Sequence, residues 1–394
     1  MWSGRSHKTK VIFNVREPIL PIRGSLTFRI NKILEKMESY DLLLQLPLNQ
    51  EPEIVHQTYC NAQLMRTKVP IPRTGILTKY VASLLFGFET ANMLSKEARK
   101  SSNCVFYGYG ASAAIALGLS GVRMPCVLDI FETELPFVMS EKFAYLRGPG
   151  KTIEKYLFSV ANRPECKIVV LTEAIKNYIL TKYDTSPDIH VIYDTTDPNL
   201  FSMQDYDSKI VDPALIFMGD IYYRDGVDKI IEALPIVIKE VPNIKLYLLG
   251  DGPDRSRVLD ISHRMGLEKH VAAPGWLPFK DVIRLLPKMM IGLAPGSPML
   301  MNKLVIPRKV FEYMSAGVVT VASNFEANRE VIINNESGLL VNPLNVEEFA
   351  ESIVRLLSDK KLYNHLQFKA RKIVEELSVE REIGRLTNLI MSAM

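Results

Sequence analysis

Short apolar runs of strand length alternate with helical stretches from one end of this 394-residue chain to the other. That alternation constrains the fold more than any other feature. Strands joined by helices pair in parallel, and a parallel sheet needs helices over both of its faces. The first half offers VIFNV (11–15), CVFYG (104–108), PCVLDIF (125–131) and KIVVLT (167–172). The second repeats the plan with ALIFMG (214–219), IKLYLLG (244–250), IGLAP (291–295) and VVTVAS (318–323). Between them, residues 191–213 are rich in Asp, Thr, Ser and Pro, the composition of a boundary between domains. The length also exceeds one ordinary core. The expected class is therefore α/β with two domains, each built on a parallel sheet, and open sheets of this kind bind ligands at the carboxyl ends of their strands. The expected division is 1–195, a linker at 196–213, a second domain at 214–378, and a helix at 379–394 that packs back on the first domain. Asn345 followed by Glu348 and an apolar-periodic run reads as a capping box opening a helix.

Composition excludes several classes. No run approaches the roughly 18 apolar residues that a spanning helix needs. The run at 11–15 is too short for a signal sequence, so a cytoplasmic address is expected. Cys60, Cys104, Cys126 and Cys166 form no C-x-x-C pair and are expected as reduced thiols. The six histidines show no ligand spacing, and no metal site is expected. Charge is uneven, with 24 Lys and Arg against 18 Asp and Glu over 1–195, and 24 against 26 over 196–394. A mildly basic first half suits an anionic surface such as membrane phosphate, while the excess is too dispersed for nucleic acid. Within it, 66–94 sets Arg66, Lys68, Arg73 and Lys79 near Leu84, Leu85, Phe86 and Phe88. That pattern suits peripheral membrane contact, and equally an ordinary core helix beside a surface loop.

The most informative segment is IPRKVFEYMSAG (306–317). Pro307 suits a first helical turn and Gly317 the residue just past the last. Val310, Phe311 and Met314 mark a core face, while Lys309 and Glu312, three apart, share another. A carboxylate held there accepts hydrogen bonds from two vicinal hydroxyls, as a ribose offers them. The helix N-terminus with Arg308 and Lys309 favours an anion alongside. A surface helix carrying a solvated Glu–Lys pair would read the same.

RKVFEYMSAGVVTVAS (308–323) resembles the N-K-L-F-E-Y-M-A-A-G-x-P-V-V-A-S signature of glycosyltransferase family 4. The resemblance continues in order through PCVLDIFETELP (125–136), VLTEAIKNYI with VIYDTTDPNLF (170–201), YLLGDGP (247–253), and NRE (328–330) with the segment after it. It implies a GT-B architecture, two Rossmann-like domains facing across a cleft. It further implies retention of anomeric configuration and no metal or other cofactor. The substrates implied are a nucleotide-sugar donor and a glycan or lipid-linked acceptor. By that resemblance Glu312 binds the donor ribose, and Gly24 and Gly219 bring backbone close to the donor. Arg224, Arg308 and Lys309 meet its phosphates, and Trp276 lies near the base.

This chain departs from the pattern at three places. Leu304 stands eight residues before Glu312, where many members carry a second acid. GDIYYRDG (219–226) keeps Arg224 but places Asp225 where a lysine is expected against the diphosphate. The strand reaching the active site offers Asp129 and Glu132 where many members carry histidine, and these two, with Arg224, are the catalytic candidates. Two other readings compete. CVFYGYGASA (104–113) contains G-x-G-x-x-A after a strand, with Asp129 nineteen residues beyond Gly110, a pattern seen in dinucleotide-binding enzymes. Asp225 would also suit a scaffold that kept the fold and lost its donor.

Overall fold

The computed structural model describes residues 9–14, 25–48, 50–60, 62–69, 76–130, 147–183, 186–211 and 213–393. The chain divides into two compact units, Met1–Asp194 with Glu382–Met394, and Thr195–Arg381.

The first unit is built on strands β1 (Lys10–Asn14), β2 (Asp41–Leu46), β3 (Gln63–Arg66), β4 (Cys104–Tyr109), β5 (Cys126–Ile130), β6 (Cys166–Val170) and β7 (Asp188–Val191). Its helices are α1 (Ser25–Lys36), α2 (Pro52–Thr58), α3 (Ile76–Lys100), α4 (Gly110–Ser120), α5 (Arg147–Ala161) and α6 (Glu173–Lys182). The strands pair in the order β3-β2-β1-β4-β5-β6-β7, every pair parallel. Every residue of β4 and β5 is buried, which is why those runs are continuously apolar instead of alternating.

The second unit repeats the winding. Its strands are β8 (Ala214–Met218), β9 (Lys245–Leu249), β10 (Val271–Ala272), β11 (Ile291–Ala294), β12 (Val319–Ser323) and β13 (Leu339–Val341), in the order β10-β9-β8-β11-β12-β13. Its helices are α7 (Tyr206–Ile210), α8 (Val227–Glu240), α9 (Arg255–Arg264), α10 (Phe279–Leu285), α11 (Leu300–Leu304), α12 (Arg308–Ser315), α13 (Val346–Ser358) and α14 (Lys360–Glu376), and a last helix, α15 (Val379–Met391), begins in this unit and passes into the first. In both sheets the fourth strand pairs with the first, and the direction of winding reverses between them. Crevices open at such reversals, outside the carboxyl ends of the strands.

Local chemistry fixes the ends of several elements. Asn345 caps α13 by accepting from the Glu348 N–H at 3.0 Å. Glu348 does not close the box; its carboxylate accepts from the Asn342 N–H instead. Residues 379–391 form the expected last helix, and from Glu382 onward they belong to the first unit, where the Tyr193 N–H donates to Glu382 Oε2 at 2.8 Å.

Two expectations are corrected. The stretch read as a linker is folded into the second unit. There the Tyr206 hydroxyl donates to the Leu357 carbonyl, and buried Lys209 donates to the Gly317 carbonyl at 2.6 Å and the Tyr363 hydroxyl at 3.2 Å. Its polar composition marks side chains that cap and tether a helix end. The second correction concerns the thiols. Cys126 and Cys166 stand directly opposite each other in the β5–β6 ladder and are joined in a disulfide, while Cys104 remains a thiol. A parallel register brings residues 40 apart in sequence side by side, which no short-range spacing reveals.

Candidate functional site

The site is assembled at the reversal point of the second sheet, from the chain leaving β8 and β11 and from α12. Helix α12 has Pro307 at its N-cap, one residue earlier than the expected first turn, and Gly317 beyond its end in the left-handed region at φ +64°. The helix is locked to the sheet by Tyr313. The Tyr313 hydroxyl accepts from the Met218 N–H at 3.0 Å and lies 3.4 Å from the Ile216 carbonyl. Its ring lies over Gly292, where an added Cβ would fall 2.4 Å from ring carbons. Glycine in β11 is what allows α12 to pack this closely.

Locking the helix places Lys309 at the end of β8. Its ammonium lies 3.8 Å from the Phe217 ring centroid. A methyl on Gly219, itself at φ +123°, would come within 3.3 Å of Nζ. Burial pushes the Lys309 ammonium down to about 8, against the pull of Asp225, Asp220 and Glu312. Arg224, on the loop after β8, stacks over the Tyr222 ring at 5.1 Å and lies 3.8 Å from Asp225 Oδ2. Burial pushes the Asp225 carboxyl up, and Lys309 and Arg224 hold it back. One turn along α12, Arg308 Nε lies 3.6 Å from Glu312 Oε1, and the Glu312 side chain is only 15% exposed.

A small pocket opens here, lined by Asp225, Ala294, Gly296, Asn302, Pro307, Lys309, Phe325 and Asn328. Asn302 pins the two loops, donating to the Arg224 and Ser297 carbonyls at 2.7 Å each. Asn328 donates to the Ser323 carbonyl at 2.8 Å, and its own carbonyl oxygen is buried with no hydrogen-bond partner among the described residues. Chemically, the pocket presents a cation and a helix N-terminus to an anion, with amide groups and a carboxylate around them.

The structure thus brings Gly219, Arg224, Arg308, Lys309 and Glu312 into one neighbourhood. Trp276 lies apart from the pocket lining, 61% exposed on the loop after β10. Asn302 and Asn328 escaped the sequence reading. Their one signal was position, in the short helix after the IGLAP strand and at the head of NRE.

The first-unit candidates divide differently. Gly24 and Glu132 lie outside the described residues. Asp129 is fully buried; Oδ2 accepts from the Tyr107 hydroxyl at 2.6 Å and pairs with Arg29 Nε at 3.2 Å. Arg29 in turn donates to the Ile192 and Tyr193 carbonyls. Fully buried and paired with Arg29, this carboxylate is not open to the ribose that the dinucleotide reading would place there. Gly110, at φ +67°, opens α4 from β4, the fourth strand, not the first. Among the described residues no group of His, Cys, Asp and Glu is arranged to hold a metal.

Residues 212–359 match the family described as Glycosyl transferases group 1. The matched segment lies within the second unit. An uncharacterized glycosyltransferase of Methanocaldococcus jannaschii is 23% identical over 266 residues, 64% of this chain and 65% of its own. The chain therefore spans just under two thirds of that relative's length. Sucrose-phosphate synthase from Thermosynechococcus elongatus superposes with a TM-score of 0.75 at 14% identity, covering 98% of this chain and 100% of that one. Anabaena HepE in complex with UDP and glucose superposes at 0.72 with 16% identity, over 98% and 100%. Both likenesses are of fold, two parallel-sheet α/β domains of the GT-B kind, as the resemblance implied. The matched segment contains every residue of the pocket.

Proposed function

We propose that this chain is a retaining, metal-independent glycosyltransferase of family 4. It would move a sugar from a nucleotide-sugar donor to a glycan or lipid-linked acceptor. One observation carries the reading: Lys309, the start of α12 and Glu312 converge at the reversal point of the second sheet, within the segment that matches group 1. Lys309, Arg224 and the helix N-terminus take the donor diphosphate and stabilise the charge that grows on it as the glycosidic bond breaks. Glu312, already drawn in beside Arg308, accepts from the two ribose hydroxyls. Departure and attack occur on one face of the sugar, the usual way to retain configuration without a covalent intermediate. Glu132 and the loop carrying Gly24 complete the proposal from the first unit, with Glu132 orienting the acceptor hydroxyl. Asp129, held by Arg29 and Tyr107, shapes that strand end from within.

The acceptor side is proposed to work from the cytoplasm at a membrane surface. Leu85 and Phe88 are exposed on α3, and no helix among the described residues is long and apolar enough to cross a bilayer. Flotation with anionic liposomes tests this contact, and failure to float would remove it.

Melting curves with UDP-, GDP- and ADP-sugars, followed by donor-hydrolysis assays with the responders, test the central reading. A bound donor raises the melting temperature, and Glu312→Gln should abolish that rise. EDTA should leave turnover unchanged. A chain that responds to no nucleotide sugar is better read as a scaffold, the alternative that Asp225 in the pocket favours.

A further inference from the structure

Asp225 stands where the resemblance expects a lysine, and it lines the same pocket as Lys309. Its backbone is fixed on two sides. The Asp225 N–H donates to the Tyr222 carbonyl at 2.9 Å, and the Asp225 carbonyl accepts from the Gly296 N–H at 3.1 Å. Its carboxylate is tethered too, with Oδ2 accepting from the Tyr222 N–H at 3.2 Å. Lys309 is equally confined, its ammonium against the Phe217 ring and the Gly219 backbone. The charged groups around that ammonium are Asp225, Asp220 and Arg224 from the loop after β8, and Glu312 with its partner Arg308 from α12.

A bare carboxylate beside a diphosphate would repel it. A carboxylate beside a half-buried ammonium does something else, because burial alone favours loss of the lysine proton and an opposite charge restores it. We propose that Asp225 is a positioning residue that, from its place in the same pocket lining, keeps the Lys309 ammonium charged. The lysine that meets the donor phosphates then comes from helix α12, while the loop after β8 keeps Arg224. This rests on the donor-site reading above, and it explains why an acid stands at that loop position without loss of the site.

The test uses the full chain and the variants Asp225→Asn, Asp225→Glu and Asp225→Lys. Lysine labelled with ¹³C at Cε, with Lys309→Met to assign the signal, reports the Lys309 titration without any donor. The expected result is a titration about one pH unit lower in Asp225→Asn and close to wild type in Asp225→Glu. An unchanged titration in Asp225→Asn overturns the proposal. Calorimetry with UDP across pH gives the second readout. Asp225→Asn should move the alkaline loss of affinity down by the same interval, and Asp225→Lys should weaken UDP binding about tenfold through repulsion of Lys309. Tighter binding by Asp225→Lys would mean that Asp225 is an eroded cation position, and the proposal fails. If the wild-type chain binds no nucleotide at all, the donor reading falls, while the lysine titration still decides the role of Asp225.

Discussion

The two units wind their sheets in the same order and differ in what they do with polar groups at the carboxyl ends of the strands. In the first unit those groups face one another. Asn14 donates to Gln45 at 3.0 Å and Thr90 at 2.8 Å, and Arg29, Tyr107 and Asp129 form a second buried set. In the second unit the corresponding ends carry Lys309, Arg224, Asp225 and the two asparagines around a pocket. One architecture thus serves two purposes. Polar side chains packed against one another define a core, and polar side chains left facing a cavity define a site.

The contrast is most open to attack at Asp129. If that carboxylate is structural, Asp129→Ala leaves Arg29 charged and buried without its partner, and urea unfolding should show a loss of about 3–5 kcal/mol. Replacing both partners with apolar residues should recover much of it. A loss below about 1 kcal/mol would return Asp129 to the list of functional candidates. The opposite signature is expected at Lys309. Lys309→Met should lower kcat/KM for the donor about a hundredfold with no fall in melting temperature, since the variant removes a costly buried charge. A large stability loss there would erase the distinction between the units.

Tyr313→Phe lies between these cases. It strips the acceptor from the buried Met218 N–H, so a cost of about 1–2 kcal/mol is expected, together with weaker donor binding as α12 loosens. Loss of stability with unaltered donor affinity would show that the helix does not need this tether.

The smallest effects are in pH. Lys309, held near 8, loses its charge as pH rises through that value, so donor affinity should decline above about 8 and hold below it. Lys209 is pushed by burial to about 7, far below the usual lysine value of about 10.4 in an unfolded chain. Between those values the folded state holds fewer protons than the unfolded one, so stability should climb with pH from about 7 towards 10. Lys209→Met should flatten that slope, and an unaltered slope would show that Lys209 is not its source.

Much of this was legible in the chain itself. Strand runs such as VIFNV and IGLAP fixed the alternation, because burial on both faces demands continuous apolar residues. Pro307 and Gly317 bracketed α12 to within a residue, since each is tied to a backbone conformation that few others adopt. Lys309 and Glu312 were readable as neighbours from helical spacing alone. The sequence could not show that Asp129 faces Arg29, a hundred residues away, instead of a substrate. Nor could it show that Asn302 and Asn328 meet in one pocket. Those facts depend on strand order, which local propensity does not encode.

By itself, then, the order of residues determined which segments become strands and helices and which side chains share a helix face. Those outcomes follow from interactions across a few residues. Tertiary structure alone decided which charges are neutralised in a core and which line a cavity. The reason is electrostatic: the behaviour of a lysine or an aspartate is set by the dielectric and the partners around it, and distant parts of the chain supply both.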